Sequence, residues 1–286
     1  MIKKYGILAN PAKHSLSPVM HNAAFNECGI EAEYFIYEIP EMEFPAFMKQ
    51  AKNEHISGLS VSLPYKETIM NFLHVIDEDA KKIGAVNTVL NDGGYLYGYN
   101  TDFIGSNLAI KEICGDNLKE FNVVVLGAGG SARAVIYGLL REGVKNISII
   151  NRTKENAIEI ADDFNKIFNV KIECFDVKKV HEDFNKIGDK NLLIQTTSIW
   201  TLNPNISKQA VEDFCPKSFV NNFEYVMDII YNPIQTPLIK IANELGKKTI
   251  TGDSMLLYQA AEQFKIWTKK KAPIEVMRKA LNDNLI

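Results

Sequence analysis

Two stretches of this 286-residue chain combine residue types and spacings that could do chemistry. The first is Val123-Val124-Val125-Leu126-Gly127-Ala128-Gly129-Gly130-Ser131-Ala132, a buried-strand pattern running into G-x-G-x-x-A and then into an amphipathic helix. Gly127 permits the tight turn, Gly129 lets the backbone approach a pyrophosphate, and Ala132 lets the helix lie close on the strand. The amides of this turn, from Ala128 to Ser131, would receive a diphosphate at the helix N-terminus. The end of the next strand selects the cofactor. Asn151 and Arg152 stand 24 and 25 residues after Gly127, followed by Thr153 and Lys154. An acid there would take the ribose 2′-hydroxyl of NAD. Arg152 suits a 2′-phosphate instead and can stack on adenine, which favours NADP. Thr153 also reads as the cap of a helix over 153–167.

The second stretch is split. Pro64-Tyr65-Lys66-Glu67 and Tyr99-Asn100-Thr101-Asp102 each lie just beyond an expected strand, where α/β clefts open. Hydride exchange at an alcohol needs a group that takes or returns the hydroxyl proton. A lysine stripped of water and aimed by an aspartate can do this. Spacing alone does not single out the pair, because most lysines are solvated surface residues.

The elements that must position these residues alternate along the chain. Strand-like runs fall at Tyr5–Ala9, Tyr34–Ile39, Leu59–Leu63, Val86–Leu90, Asn122–Leu126, Ile147–Ile150, Val170–Phe175, Leu192–Thr196 and Val226–Ile230, with helical patterns between most of them. This predicts an α/β fold with a largely parallel sheet. Ser17-Pro18 reads as a helix N-cap and first turn, with Gly29 as the stop. Pro64 ends a strand, and a helix can begin near Lys66. Ser254 opens a last pair of helices, 254–268 and 273–283. The glycine turn in mid-chain implies a substrate domain over 1–102, a Rossmann-type nucleotide domain over 103–252, and C-terminal helices, 253–286, that return to the first domain. The active site is expected in the cleft between the domains.

Lys plus Arg is 32 against 35 Asp plus Glu, a net charge of −3, so no basic field exists for nucleic acid or an anionic membrane. Lys269-Lys270-Lys271 reads as a solvated turn. No apolar run spans a bilayer, and the opening Met1-Ile2-Lys3-Lys4-Tyr5 is not a secretory signal. The four cysteines are far apart, which predicts a reduced, cytoplasmic protein, and no His/Cys spacing suits zinc.

Six motifs in order resemble the shikimate dehydrogenase family over nearly the whole chain. Ser15-Leu16-Ser17-Pro18-Val19-Met20-His21 resembles its S-x-S-P-x-x-H, and Gly58-Leu59-Ser60-Val61-Ser62-Leu63-Pro64-Tyr65-Lys66 its G-x-N-V-T-x-P-x-K. Gly84-Ala85-Val86-Asn87-Thr88 and Gly98-Tyr99-Asn100-Thr101-Asp102 resemble G-A-V-N-T and G-x-N-T-D. Asp228-Ile229-Ile230-Tyr231-Asn232-Pro233 and Gly252-Asp253-Ser254-Met255-Leu256-Leu257-Tyr258-Gln259 complete the series.

The resemblance implies reversible, NADPH-dependent reduction of 3-dehydroshikimate to shikimate, in a monomer or homodimer. Lys66 would be the acid/base and Asp102 would orient it and hold a hydroxyl. Ser15 and Ser17 would bind the substrate carboxylate, and Ser62 and Asn87 the ring hydroxyls. Tyr231 and Gln259 would close the pocket from the far side. Ile229 and Gly252 would approach the nicotinamide. Glu78 could contact the same end of the cofactor, although a solvated helix charge is the plainer reading.

The chain departs from the family at Ser60, where asparagine is usual, and at Ser62, which keeps the hydroxyl of the usual threonine. It departs further at Gln195-Thr196-Thr197-Ser198-Ile199-Trp200-Thr201, where the family commonly reads N-x-T-S-x-G-M. That loop lies near the nicotinamide in the family, and a tryptophan in place of glycine must move backbone or fill space. Three alternatives stand beside the main reading: a quinate/shikimate dehydrogenase that also uses NAD, an NADP-binding regulatory protein without catalysis, and another two-domain NADP enzyme such as a methylenetetrahydrofolate dehydrogenase. The paired Ser15 and Ser17 fit a small carboxylate better than a folate.

Overall fold

The computed structural model describes residues 2–53, 56–177, 191–199 and 208–285. The chain forms two compact units, Met1–Gly105 with Leu257–Asn284, and Ser106–Leu256 with Leu285–Ile286.

The first unit begins β1 Lys3–Ala9, α1 Ser17–Glu27, β2 Ala32–Glu38, α2 Phe44–Asn53 and β3 Ile56–Val61. A short 3-10 turn, Thr68–Phe72, leads to β4 Val75–Ile76, α3 Glu78–Ile83, β5 Thr88–Asp92 and β6 Tyr95–Tyr99. The sheet order is β2-β1-β3-β5-β6-β4. It is mixed rather than largely parallel, because β5 runs antiparallel to both β3 and β6. The cause is local. Gly93 and Gly94 have φ of 59° and 93°, the backbone a tight hairpin needs, so β6 folds straight back along β5. The C-terminal ends of β1, β3 and β6 and the N-terminal end of β5 therefore meet on one sheet edge, with Ser60 opposite Thr88 and Thr88 opposite Tyr99.

Helix α4, Asp102–Cys114, leads into the second unit. There follow β7 Asn122–Leu126, α5 Gly130–Arg141, β8 Asn146–Asn151, α6 Lys154–Phe168, β9 Glu173–Asp176, β10 Leu192–Gln195, α7 Lys208–Phe214, α8 Lys217–Val220, β11 Tyr225–Asp228, α9 Pro237–Glu244 and β12 Lys248–Ile250. The order is β12-β11-β10-β7-β8-β9, and every pairing is parallel. The apolar runs of β7 and β10 are buried almost throughout, as strands covered on both faces require.

Helices α10, Gly252–Thr268, and α11, Ile274–Asn282, bring the chain back to the first unit. Trp267 of α10 fixes the contact. Its indole Nε1 donates to Val89 O at 2.9 Å, and a Cβ on Gly58 would fall 2.5 Å from that same nitrogen. Only glycine leaves room for the ring.

Three local expectations shift. The cap of α1 is Leu16, with Ser17 already inside the helix, because Pro18 fits the first turn one place later than assumed. The helix expected near Lys66 is only the 3-10 turn at 68–72. Helix α10 starts at Gly252, two residues before Ser254. Among the described residues no helix is long and apolar enough to cross a membrane, and no His, Cys, Asp and Glu side chains group as a metal site.

Candidate active site

The one-edge geometry of the first sheet gathers the residues that the sequence scatters. Ser15 and Ser17 follow β1, Ser62 and Lys66 follow β3, Asn87 precedes β5, and Asp102 follows β6. Lys66 Nζ donates to Asp102 Oδ2 at 2.7 Å, and the two side chains are only 12% and 8% exposed. The other Asp102 oxygen, Oδ1, accepts from Asn87 Nδ2 at 2.7 Å. Both carboxylate oxygens are thus engaged, in the first turn of α4, where the helix dipole favours negative charge. A lysine and a carboxylate this close and this shielded have the geometry that proton transfer to a bound substrate requires.

Local bonds explain why the chain folds this way. Asn100 Oδ1 accepts from Asp102 N at 3.0 Å while Asn100 Nδ2 donates to Ala85 O at 2.9 Å, so Asn100 pins the segment ahead of Asp102 to the one ahead of Asn87. Val86 N donates to Lys66 O at 2.8 Å and fixes the lysine backbone. Asn87 Oδ1 accepts from Thr101 N and from Thr88 Oγ1, both at 2.7 Å, which turns its amide nitrogen toward Asp102. Gln259 Oε1 lies 3.4 Å from that nitrogen. Ser17 is buried and its N–H donates to Ser15 Oγ at 3.3 Å. Ser62 is half-buried, and its N–H donates to Leu8 O at 3.0 Å, holding it beside β1.

The second unit carries the glycine turn. Gly127 has φ of 113°, and a Cβ there would sit 2.5 Å from Thr196 Oγ1, so conformation and space both demand glycine. Gly129 caps α5, and a Cβ on it would meet nothing within 4 Å: the turn is open on the side where a diphosphate would lie. Gly130, Ser131 and Ala132 form the first turn of α5, the end at which a helix offers backbone donors and a favourable dipole to an anion. Arg152, Thr153 and Lys154 are exposed at the end of β8, and Asn151 Nδ2 donates to Thr153 O at 2.8 Å. Thr153 occupies the cap of α6, but its side chain makes no capping bond. An open cradle with an exposed arginine beyond the second strand fits a dinucleotide bearing a 2′-phosphate. Gly252 meets Ile229 closely, since a Cβ would fall 2.2 Å from Ile229 O. Tyr231 belongs to this unit and is half-buried.

Comparison with known proteins agrees with the geometry. Residues 7–89 match the model of the shikimate dehydrogenase substrate binding domain, and residues 108–233 that of shikimate / quinate 5-dehydrogenase. Residues 254–281 match the shikimate 5'-dehydrogenase C-terminal domain. The shikimate dehydrogenase (NADP(+)) of Methanocaldococcus jannaschii is 40% identical over 99% of this chain and 97% of its own. The chain belongs to the shikimate dehydrogenase family.

A shikimate dehydrogenase solved in complex with NADP+ superposes with a TM-score of 0.86 at 36% identity, covering 99% of this chain and 96% of that one. The shikimate 5-dehydrogenase of Thermus thermophilus, solved with NADP(H) and shikimate, gives 0.82 at 31% identity, with 99% and 100% covered.

Against the shikimate dehydrogenase pattern, the departure at Gln195 has a structural account. Gln195 is fully buried and grips its own loop: Oε1 accepts from Thr197 N, while Nε2 donates to Thr197 O at 3.0 Å and to Asp228 Oδ1 at 3.2 Å. Asp228, also fully buried, accepts from Ile230 N at 3.0 Å and Thr236 Oγ1 at 2.7 Å. The longer side chain thus closes a ring that holds the loop start to β11. Trp200 and Thr201 lie outside the described residues. Glu78 is exposed in the first turn of α3 and pairs with Lys81 at 2.6 Å, whose ammonium lowers its carboxyl pKa, as a solvated helix charge would. Sequence reasoning did not single out Asn100 and Thr101 individually, nor Thr88, Gln263 and Asp228 as organisers of the site. Their signal is polarity without exposure, visible only once burial is known.

Proposed function

We propose that the protein is an NADP-dependent shikimate dehydrogenase that interconverts 3-dehydroshikimate and shikimate on the route to chorismate and the aromatic amino acids. The Lys66–Asp102 pair is the observation that carries this reading, because it supplies the proton the reaction needs in a dry, preset position. In the reducing direction Lys66 gives its proton to the ring carbonyl oxygen, and in the oxidising direction it takes that proton from the hydroxyl. NADPH, when bound, supplies the hydride. Asp102 keeps the lysine aimed and accepts from a neighbouring ring hydroxyl.

Ser15 and Ser17 donate to the substrate carboxylate, Ser62 and Asn87 bond ring hydroxyls, and Tyr231 and Gln259 close the pocket. The turn at Gly127, Ala128, Gly129, Gly130 and Ser131 would hold the diphosphate. Asn151, Arg152, Thr153 and Lys154 would hold the adenosine 2′-phosphate, and Ile229 and Gly252 would line the nicotinamide. A cytoplasmic location, as monomer or homodimer, completes the reading; burial pushes the Cys114 and Cys174 thiols up to about 12 and about 11, so neither is a reactive thiolate.

The test is absorbance at the NADPH band with shikimate plus NADP, repeated with quinate and with NAD. Turnover of shikimate with NADP well above the other combinations is expected. Binding of NADPH with no turnover of any of these substrates would overturn the reading.

A further inference from the structure

Behind the site a chain of polar side chains, to which the reaction assigns no role, leads to Asn87 and Asp102. Tyr34 OH donates to Ser60 Oγ at 2.6 Å, and Ser60 Oγ donates to Gln263 Oε1 at 2.7 Å. Gln263 Nε2 donates to Thr88 Oγ1 at 3.1 Å and to Asn87 O at 3.2 Å. Thr88 Oγ1 then donates to Asn87 Oδ1, and Asn87 Nδ2 to Asp102 Oδ1. Ser60, Gln263, Thr88 and Asn87 are each at most 5% exposed, so none of these bonds can be replaced by water.

The chain has a direction. Because Ser60 accepts from Tyr34, its proton goes to the oxygen end of Gln263, which leaves the nitrogen end facing Thr88. Thr88 accepts from that nitrogen, so its own proton goes to Asn87 Oδ1, and the Asn87 nitrogen is left for Asp102. Gln263 also stands one turn after Gln259 on α10, on the same helix face, so the bond that anchors Gln263 to Asn87 O sets Gln259 against the Asn87 amide. Position 60, asparagine in the family motif, is a serine with one hydroxyl here, and the amide that reaches Asn87 comes from the helix.

We propose that Gln263 is a positioning residue for substrate binding, acting through Thr88 on Asn87 and through its helix on Gln259. The inference rests on the shikimate dehydrogenase reading, in which Asn87 and Gln259 meet the ring hydroxyls. Thr101 N also holds Asn87 Oδ1 and survives any change at Gln263, which bounds the loss.

Four single variants and one double variant test it, by steady-state kinetics with shikimate and NADP. Gln263→Met keeps length and burial but loses both donors, and Thr88→Val keeps shape but loses the hydroxyl. Each is expected to raise the KM for shikimate about tenfold, with the KM for NADP unchanged and kcat altered less than about threefold. Thr88→Ser, which keeps the hydroxyl, should stay close to the parent. The double variant Gln263→Met/Thr88→Val should be no worse than the poorer single, since both cut one chain. Ser60→Ala cuts it one link upstream and should raise the same KM about threefold, which covers the case in which Gln263→Met does not fold. An unchanged shikimate KM in Gln263→Met and Ser60→Ala, losses that multiply in the double, or a parallel rise in the KM for NADP would overturn the proposal. Those results leave shikimate turnover by the parent intact. A parent with no shikimate turnover would sink the functional reading and this inference together.

Discussion

His21 should make the first unit lose stability in mild acid, and the amount can be worked from its surroundings. The ring is fully buried, stacks on Tyr34 at 4.6 Å between ring centres, and lies 5.1 Å from the ring of Trp267. Among the described residues neither ring nitrogen has a hydrogen-bond partner. Burial pulls the imidazole from 6.5 down to about 3, and the neighbouring Gln263 side chain opposes this without cancelling it. The folded protein therefore holds His21 neutral where the unfolded chain would protonate it. The stability this represents is fully present above pH 6.5 and is lost as pH falls from there toward about 3. The gap caps the effect at roughly 5 kcal/mol, and at pH ~5 it amounts to about 2 kcal/mol. Urea unfolding of the parent and of His21→Phe at pH ~7.5 and ~5 isolates it, because the contributions of His14, His55, His74 and His181 cancel in the comparison. The parent should lose about 2 kcal/mol more than the variant between the two pH values. Equal losses would show that His21 is solvated or paired in solution, and the reasoning from burial would fail.

Two further outcomes follow from the second unit. Arg152→Ala should raise the KM for NADP with little change for NAD, since only the former carries a 2′-phosphate; equal effects on the two would remove that role. Gly252→Ala places a methyl 2.2 Å from Ile229 O, which must push backbone apart; urea unfolding should show a loss of about 1–3 kcal/mol, and an unchanged midpoint would contradict the close approach.

The fold was most legible where burial dictates composition. The valine run of β7 falls at Asn122–Leu126, as its pattern predicts, because a strand covered on both faces leaves few alternatives. Strand β6 escaped notice. Its buried residues alternate with three tyrosines, and the Gly93-Gly94 turn just ahead of it reads equally well as the start of a loop. Strands β4 and β12, of two and three residues, are too short to impose a period. Lys66 and Asp102 are 36 residues apart, and nothing local joins them. The β5–β6 hairpin does, by turning β6 parallel to β3 so that both end on one edge. Family motifs could name the pair, whereas pattern reasoning could only offer it. Gln263 was illegible for a different reason: a glutamine on a long helix reads as solvated, and only the arrival of Ser60 and Asn87 from distant strands makes it an interior residue.

The most direct test of the account is the turnover number of Lys66→Ala with saturating shikimate and NADP. Removing the ammonium that donates to Asp102 at 2.7 Å should lower kcat by roughly 10²–10⁴-fold while the KM for shikimate stays within a few-fold of the parent. A kcat near that of the parent would mean that another group carries the proton, and the assignment of this pair would be wrong.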